Sequence, residues 1–252
     1  MAGHSHWASI KHKKGAADAK KGKAFSKIAR MITVAARKGG GDPDMNAKLQ
    51  LAIDKARAVN MPKDNIERAI QKGTGDSSGD MELFECLYEG YGPHGVALMV
   101  EILTDNKNRT APEIRKLFER FGGNLGESGC VSWLFDKKGL IVIQNRNVNE
   151  DDLMSIVLDA GAEDLQKLGD IFQVICSQAD LDLIRKIVEK KGITIESAEV
   201  AWVPKSAVDL DVMAGKKVLD LIEALEDHDD VQNVHSNFNL TQALLSEIQS
   251  TK

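Results

Sequence analysis

Apolar residues return at three- and four-residue steps from Phe25 through Ile28, Ala29, Ile32, Ala35 and Ala36, and this spacing predicts an amphipathic helix. On a wheel of about 100° per residue the opposite face carries Lys23, Lys27, Arg30, Arg37 and Lys38. Three glycines at 39–41 stop the helix, because glycine takes the left-handed geometry of a helix exit without strain. Asp42-Pro43 reads as an N-cap with proline at the first helical position, and Leu49, Ala52, Ile53 and Ala56 supply the next apolar stripe. Asn60-Met61-Pro62 breaks that helix, and a third runs over 63–72. Residues 1–75 are expected to form a small basic helical domain with a glycine-containing leader.

Residues 75–79 are small and polar. They spell GDSSG, the letters of a hydrolase nucleophile elbow, but an elbow needs a strand before its serine, and here a helix precedes it. A linker is the better reading. The period then changes: 96–104 (VALMVEILT) predicts a buried strand, 111–121 a helix and 130–135 a strand. Strands at 140–144, 171–177 and 198–203 follow, with helices at 151–160 and 181–191 between them. After Pro204 come a strand-like 207–210, a helix at 216–225 and a last strand at 231–238. The unit at 96–135 has half the elements of a split βαβ sandwich, and the segment after 205 supplies the missing helix and strand. The expected fold class is α+β with three domains: 1–75 helical, then two ferredoxin-like-type α+β domains. One is 80–135 plus 205–245; the other, 136–204, is inserted in it.

Charge divides along the same boundary. Residues 1–75 hold 16 Lys and Arg against 6 Asp and Glu, a net of +10, whereas the rest holds 17 against 32, a net of -15. The overall -5 conceals this asymmetry, and the basic end predicts an acidic partner. Cys86, Cys130 and Cys176 are odd in number and never spaced as CxxC, so neither a disulfide framework nor a zinc ribbon is expected, and a reducing cytoplasm fits. No apolar run approaches the roughly 18 residues of a membrane span.

The leader adds Trp7 and Ile10 to its cations, which a merely solubilising tail does not need. An aromatic beside several cations stacks on a base while the ammonium groups take phosphates. Candidate nucleic-acid contacts are therefore His4, Trp7, Lys11, His12, Lys13, Lys14, Lys20, Lys21, Lys23, Lys27, Arg30, Arg37 and Lys38. A metal site on His4, His6 and His12 is not favoured, since no Cys or carboxylate partner has ligand spacing. The loop TDNKNRT at 104–110 is partly explained by a capping box of Thr110 with Glu113. Lys107, Asn108 and Arg109 remain, near a helix N-terminus where anions bind, and join the candidates. GGNLGESG at 122–129 lacks the Lys-Ser/Thr ending of a phosphate loop and reads as a turn. Glu85, Glu89, Asp209, Asp211 and the acids of 227–230 read as a solvated acidic face. No segment combines nucleophile, base and orienting group, so neither an enzyme nor a cofactor is expected.

Several motifs together resemble the YebC family: GHSHWASIKHKK (3–14), RKGGGDP (37–43), NMPKDNI (60–66), YEGYGP (88–93), TDNKNRT (104–110) and VQNVHSN (231–237). They span nearly the whole chain. The resemblance implies a cytoplasmic bacterial protein of three domains, the third inserted in the second. The motif begins at Gly3, which leaves no room for the presequence of organellar relatives. His6 stands where relatives often carry Lys or Arg. Family members are widely labelled probable transcriptional regulators that bind DNA, whereas the mitochondrial translational activator of cytochrome c oxidase acts in translation. Bacterial members have been linked to ribosomes stalled on proline-rich stretches, so the implied partner is DNA or rRNA. A DNA reader would present Asn65, Arg68 and Gln71 of the third helix to base edges.

Overall fold

The computed structural model describes residues 18–75, 83–145 and 148–239, with Thr241, Leu244 and Glu247 as separate positions. Helices α1 (Asp18–Gly39), α2 (Ala47–Ala58) and α3 (Lys63–Thr74) close around Ile32, Ala36, Leu49, Ile53, Ala56 and Met61. Gly40 leaves α1 with φ +86°, as the glycine run requires. Helix α2 begins four residues later than the Asp42-Pro43 pattern suggests. Asn46 is its cap, accepting from the Leu49 N–H at 3.1 Å while its amide donates to the Ala35 and Gly40 carbonyls at 2.9 Å. One side chain thus starts α2 and satisfies two carbonyls at the end of α1. Asp42 closes a turn instead, accepting from the Asp44 N–H.

The first sheet has the order β3-β1-β2-β9, formed by β1 (Phe84–Tyr91), β2 (Ala97–Thr104), β3 (Asn124–Leu125) and β9 (Val231–Ser236), all antiparallel. Helices α4 (Lys107–Arg120) and α7 (Val212–Glu226) pack Ile114, Phe118, Leu221 and Ile222 onto Leu98, Val100 and Ile102. The other face of β2 packs Ala97 and Met99 on Val131 and Phe135. Burial on both faces is why β2 reads as an unbroken apolar run.

Between β3 and α7 the chain builds a second sheet, order β5-β6-β4-β7, from β4 (Phe135–Gln144), β5 (Asp164–Leu168), β6 (Ile171–Cys176) and β7 (Ile195–Pro204). Helices α5 (Glu150–Asp159) and α6 (Leu181–Lys190) cover one face through Leu153, Val157, Ile184 and Val188. A short parallel pair, β8 (Val208–Asp209) with β10 (Phe238–Asn239), flanks the first sheet. The architecture is α+β: a helical unit, then two sheet-and-helix units, the second sheet arising within the chain path of the first.

Two elements differ from expectation. Residues 130–134 are not a strand but a turn and one 3-10 turn, Ser132–Leu134, and Phe135 opens β4. The reason is Glu89, only 4% exposed, whose carboxylate accepts from the N–H groups of Gly129, Val131 and Ser132 at 2.8–2.9 Å. Those donors are consumed by a side chain and not by a neighbouring strand. Helix α4 starts at Lys107, not 111, because Asn106 caps it by accepting from the Arg109 N–H at 3.1 Å. The capping box of Thr110 with Glu113 therefore does not form; both side chains are used elsewhere.

Candidate nucleic-acid interface

Thr110 points inward because α4 begins early. Its hydroxyl donates to Asp230 Oδ2 at 2.7 Å, and Thr104 at the end of β2 does so at 3.0 Å. Arg109 Nη2 reaches the same oxygen at 2.7 Å, and Arg30 of α1 takes Oδ1 at 2.9 Å. Asp230 is 2% exposed and lies in the turn between α7 and β9. Burial by itself raises its pKa; the two hydroxyls and two guanidinium groups outweigh that and bring it down to about 2. A single carboxylate thus joins α1, the 104–110 loop and the start of β9. The acids of 227–230 and Glu89 are accordingly not all a solvated face: Asp230 and Glu89 are interior acceptors.

The cations of α1 meet this turn along one line. Lys23 Nζ lies 3.5 Å from Asp229 Oδ1, Lys27 donates to the Glu226 carbonyl at 2.6 Å, and Lys38 pairs with Glu85 of β1 at 2.6 Å. Four of the five cations on the face expected to be wet, Lys23, Lys27, Arg30 and Lys38, are docked on the sheet unit. Arg37 is exposed, and Lys20 and Lys21 lie in the first turn of α1. His4, Trp7, Lys11, His12, Lys13 and Lys14 lie outside the described residues. In the loop, Lys107 covers the Phe84 ring at 4.6 Å, Asn108 is exposed at the helix start, and Arg109 is neutralised by Asp230 and Asp105. Sequence reading missed Asp230, which is one of the crowded acids of 227–230 and carries no distinguishing spacing.

Asn65 and Arg68 of α3 turn into a cleft of about 400 Å3, walled opposite by Leu83 and Asp105. Arg68 Nε donates to the Asp64 carbonyl at 3.1 Å and Nη2 to Asn65 Oδ1. No carboxylate pairs with it among the described residues.

A second polar junction holds the three units together. Lys55 of α2 pairs with Glu199 of β7, and Arg185 of α6 reaches Asp54 at 2.6 Å. Burial lowers the Lys55 pKa by itself, but Glu199, with Glu101 beyond, raises it overall. Glu101 of β2 accepts from Asn233 at 2.6 Å and lies 3.7 Å from His235. Burial raises its pKa, and His235, Asn233 and Lys137 overcome this to leave it at about 2. Among the described residues no cluster of His, Cys, Asp and Glu could hold a metal ion, and no helix is long and apolar enough to cross a membrane.

Two family models match: TACO1/YebC protein N-terminal domain over residues 5–76, and TACO1/YebC second and third domain over residues 83–238. A probable transcriptional regulatory protein of Desulfotalea psychrophila is 53% identical over 249 residues, covering 98% of this chain and 99% of its own. Another probable transcriptional regulatory protein, of Dictyoglomus turgidum, is 53% identical over 98% of this chain and 100% of its own. The crystal structure of a conserved hypothetical protein from Aquifex aeolicus superposes with a TM-score of 0.86 at 46% identity, covering 95% of this chain and 99% of that one.

Proposed function

The chain belongs to the TACO1/YebC family, and from that premise we propose that it is a non-catalytic, cytoplasmic regulator of gene expression that binds nucleic acid through its basic N-terminal unit. The observation that carries this reading is the +10 concentrated in residues 1–75 against -15 in the remainder. Such a division attracts phosphate to one end and repels it from the rest. The relatives named probable transcriptional regulatory proteins support DNA as the partner.

A ribosome-associated role, with rRNA as the partner, is the second reading, and the cleft beside α3 favours it. A helix that reads duplex DNA must enter a major groove about 12 Å wide. Asn65 and Arg68, with Leu83 and Asp105, line a cleft of about 400 Å3, a volume that suits an unpaired base.

Replacing Lys11, Lys13, Lys14, Lys20 and Lys21 by Glu should abolish nucleic-acid binding with an unchanged circular dichroism spectrum. Retained binding refutes the proposal. Sucrose-gradient sedimentation of a lysate at low and high salt separates the partners: salt-sensitive co-migration with ribosomal particles supports rRNA. Absence from those fractions, with discrete chromosomal fragments recovered on the protein, supports DNA.

A further inference from the structure

The cleft between the helical unit and the first sheet combines two chemistries. Phe25, half-buried on α1, and Met61 give it an apolar side, while Arg37, Arg68 and Lys72 bring cations to its rim. Its carboxylate, Asp105, is bound to Arg109 at 2.9 Å. At about 400 Å3 it falls within the roughly 300–1,000 Å3 of small-ligand sites. An aromatic side chain beside a cationic rim matches a nucleotide, which is a flat base joined to an anionic phosphate. Sites for single strands are built this way, from aromatic platforms in positive grooves.

We propose that this cleft is a nucleotide site that takes one unpaired base of an RNA strand against Phe25, with a flanking phosphate on Arg68. The proposal rests on the nucleic-acid reading above and names what that unit recognises. Arg68 is held in a suitable pose, because Asp64 and Asn65 engage only two of the five N–H donors of its guanidinium, which fixes its plane and leaves donors for a phosphate. RNA loops and ends supply such bases, splayed from the stack, whereas paired strands do not.

The test uses the full chain and a 12-nucleotide single-stranded RNA of mixed sequence, titrated by fluorescence anisotropy over a salt series. Adenosine monophosphate, followed by calorimetry, is the second probe. Ser26→Leu narrows the cleft from an exposed helix position and keeps every charge; Arg68→Gln removes one. Ser26→Leu should weaken RNA binding about tenfold, the order of one lost base-stacking contact, with an unchanged salt slope. Arg68→Gln should weaken it and flatten the slope by about 0.7. Circular dichroism and urea midpoints establish that both variants fold. Wild-type affinity in both overturns the site and leaves the nucleic-acid reading standing. A wild-type chain that binds neither RNA nor duplex DNA overturns that reading and the site with it. Adenosine monophosphate bound by the wild type but not by Ser26→Leu supports the site with a free nucleotide as its source. Loss of RNA alone in that variant supports a base presented on a strand.

Discussion

Replacing Asp230 by asparagine removes one negative charge from the point where α1, the 104–110 loop and β9 meet, and it keeps the side-chain shape. The carboxyl stands at about 2 against an ordinary 3.8, and each pKa unit corresponds to about 1.4 kcal/mol, so the charge contributes about 2.5 kcal/mol at neutral pH. Because the folded value is depressed, this stability is fully present above the unfolded value and is lost as pH falls through the folded one. The linkage relation puts it at about 1.3 kcal/mol at pH 3 and below about 0.5 at pH 2. The two guanidinium groups left behind are partly exposed and stay solvated, so the penalty at pH 7 should be about 2.5 kcal/mol and not above it. Urea denaturation of wild type and Asp230→Asn at pH 7, 5 and 3, followed by circular dichroism, measures the difference. A penalty that is equal at pH 7 and pH 3, or smaller than about 0.5 kcal/mol at pH 7, refutes the assignment of Asp230 as an ionised interior acceptor. A reduced m-value in the variant would show α1 leaving the turn before global unfolding.

Glu89→Gln should cost about 1–3 kcal/mol, since three amides lose a carboxylate acceptor and at least one is left without a partner; amide exchange at Gly129, Val131 and Ser132 should quicken before the rest of the sheet. Lys55→Met should destabilise by roughly 3 kcal/mol by removing the cation paired with the half-buried Glu199, while Lys55→Met with Glu199→Leu should recover most of the loss in thermal unfolding. Gly73→Ala should push α1 from α3, because the new Cβ meets the Thr33 carbonyl and stands 2.7 Å from the Ala36 Cβ. A loss of about 1–3 kcal/mol in urea unfolding is expected.

Long elements with one buried side were legible in the sequence. The apolar stripes of α1 and α2, the unbroken runs of β2 and β6 and the helices α5 and α6 each carry a period that needs no tertiary knowledge. Strand β1 (FECLYEGY) was not legible: it mixes half-buried and exposed residues, and its place in the sheet is fixed by pairing with β2 along its whole length. Residues 130–135 misled for the opposite reason. VSWLF has strand composition, but Glu89, more than forty residues away in the chain, takes its amides. The start of α4 misled because Thr110 and Glu113 have the spacing of a capping box, whereas Asn106 caps the helix and Thr110 turns inward to Asp230, more than a hundred residues away.

The same distance dependence governs the reading of charge. Counting cations along α1 gives a continuous basic face, yet Lys23, Lys27, Arg30 and Lys38 have acceptors in 226–230 and Glu85, supplied from far along the chain. An acidic segment that neutralises these groups does two things at once. It fixes the helical unit on the first sheet, and it withdraws those cations from competition for phosphate. What the N-terminal unit offers a nucleic acid is therefore smaller than +10 and differently placed, in the leader cations and in Arg68 at the cleft. The salt dependence of binding should follow that smaller set, because only a cation that contacts a phosphate displaces the counterions condensed there.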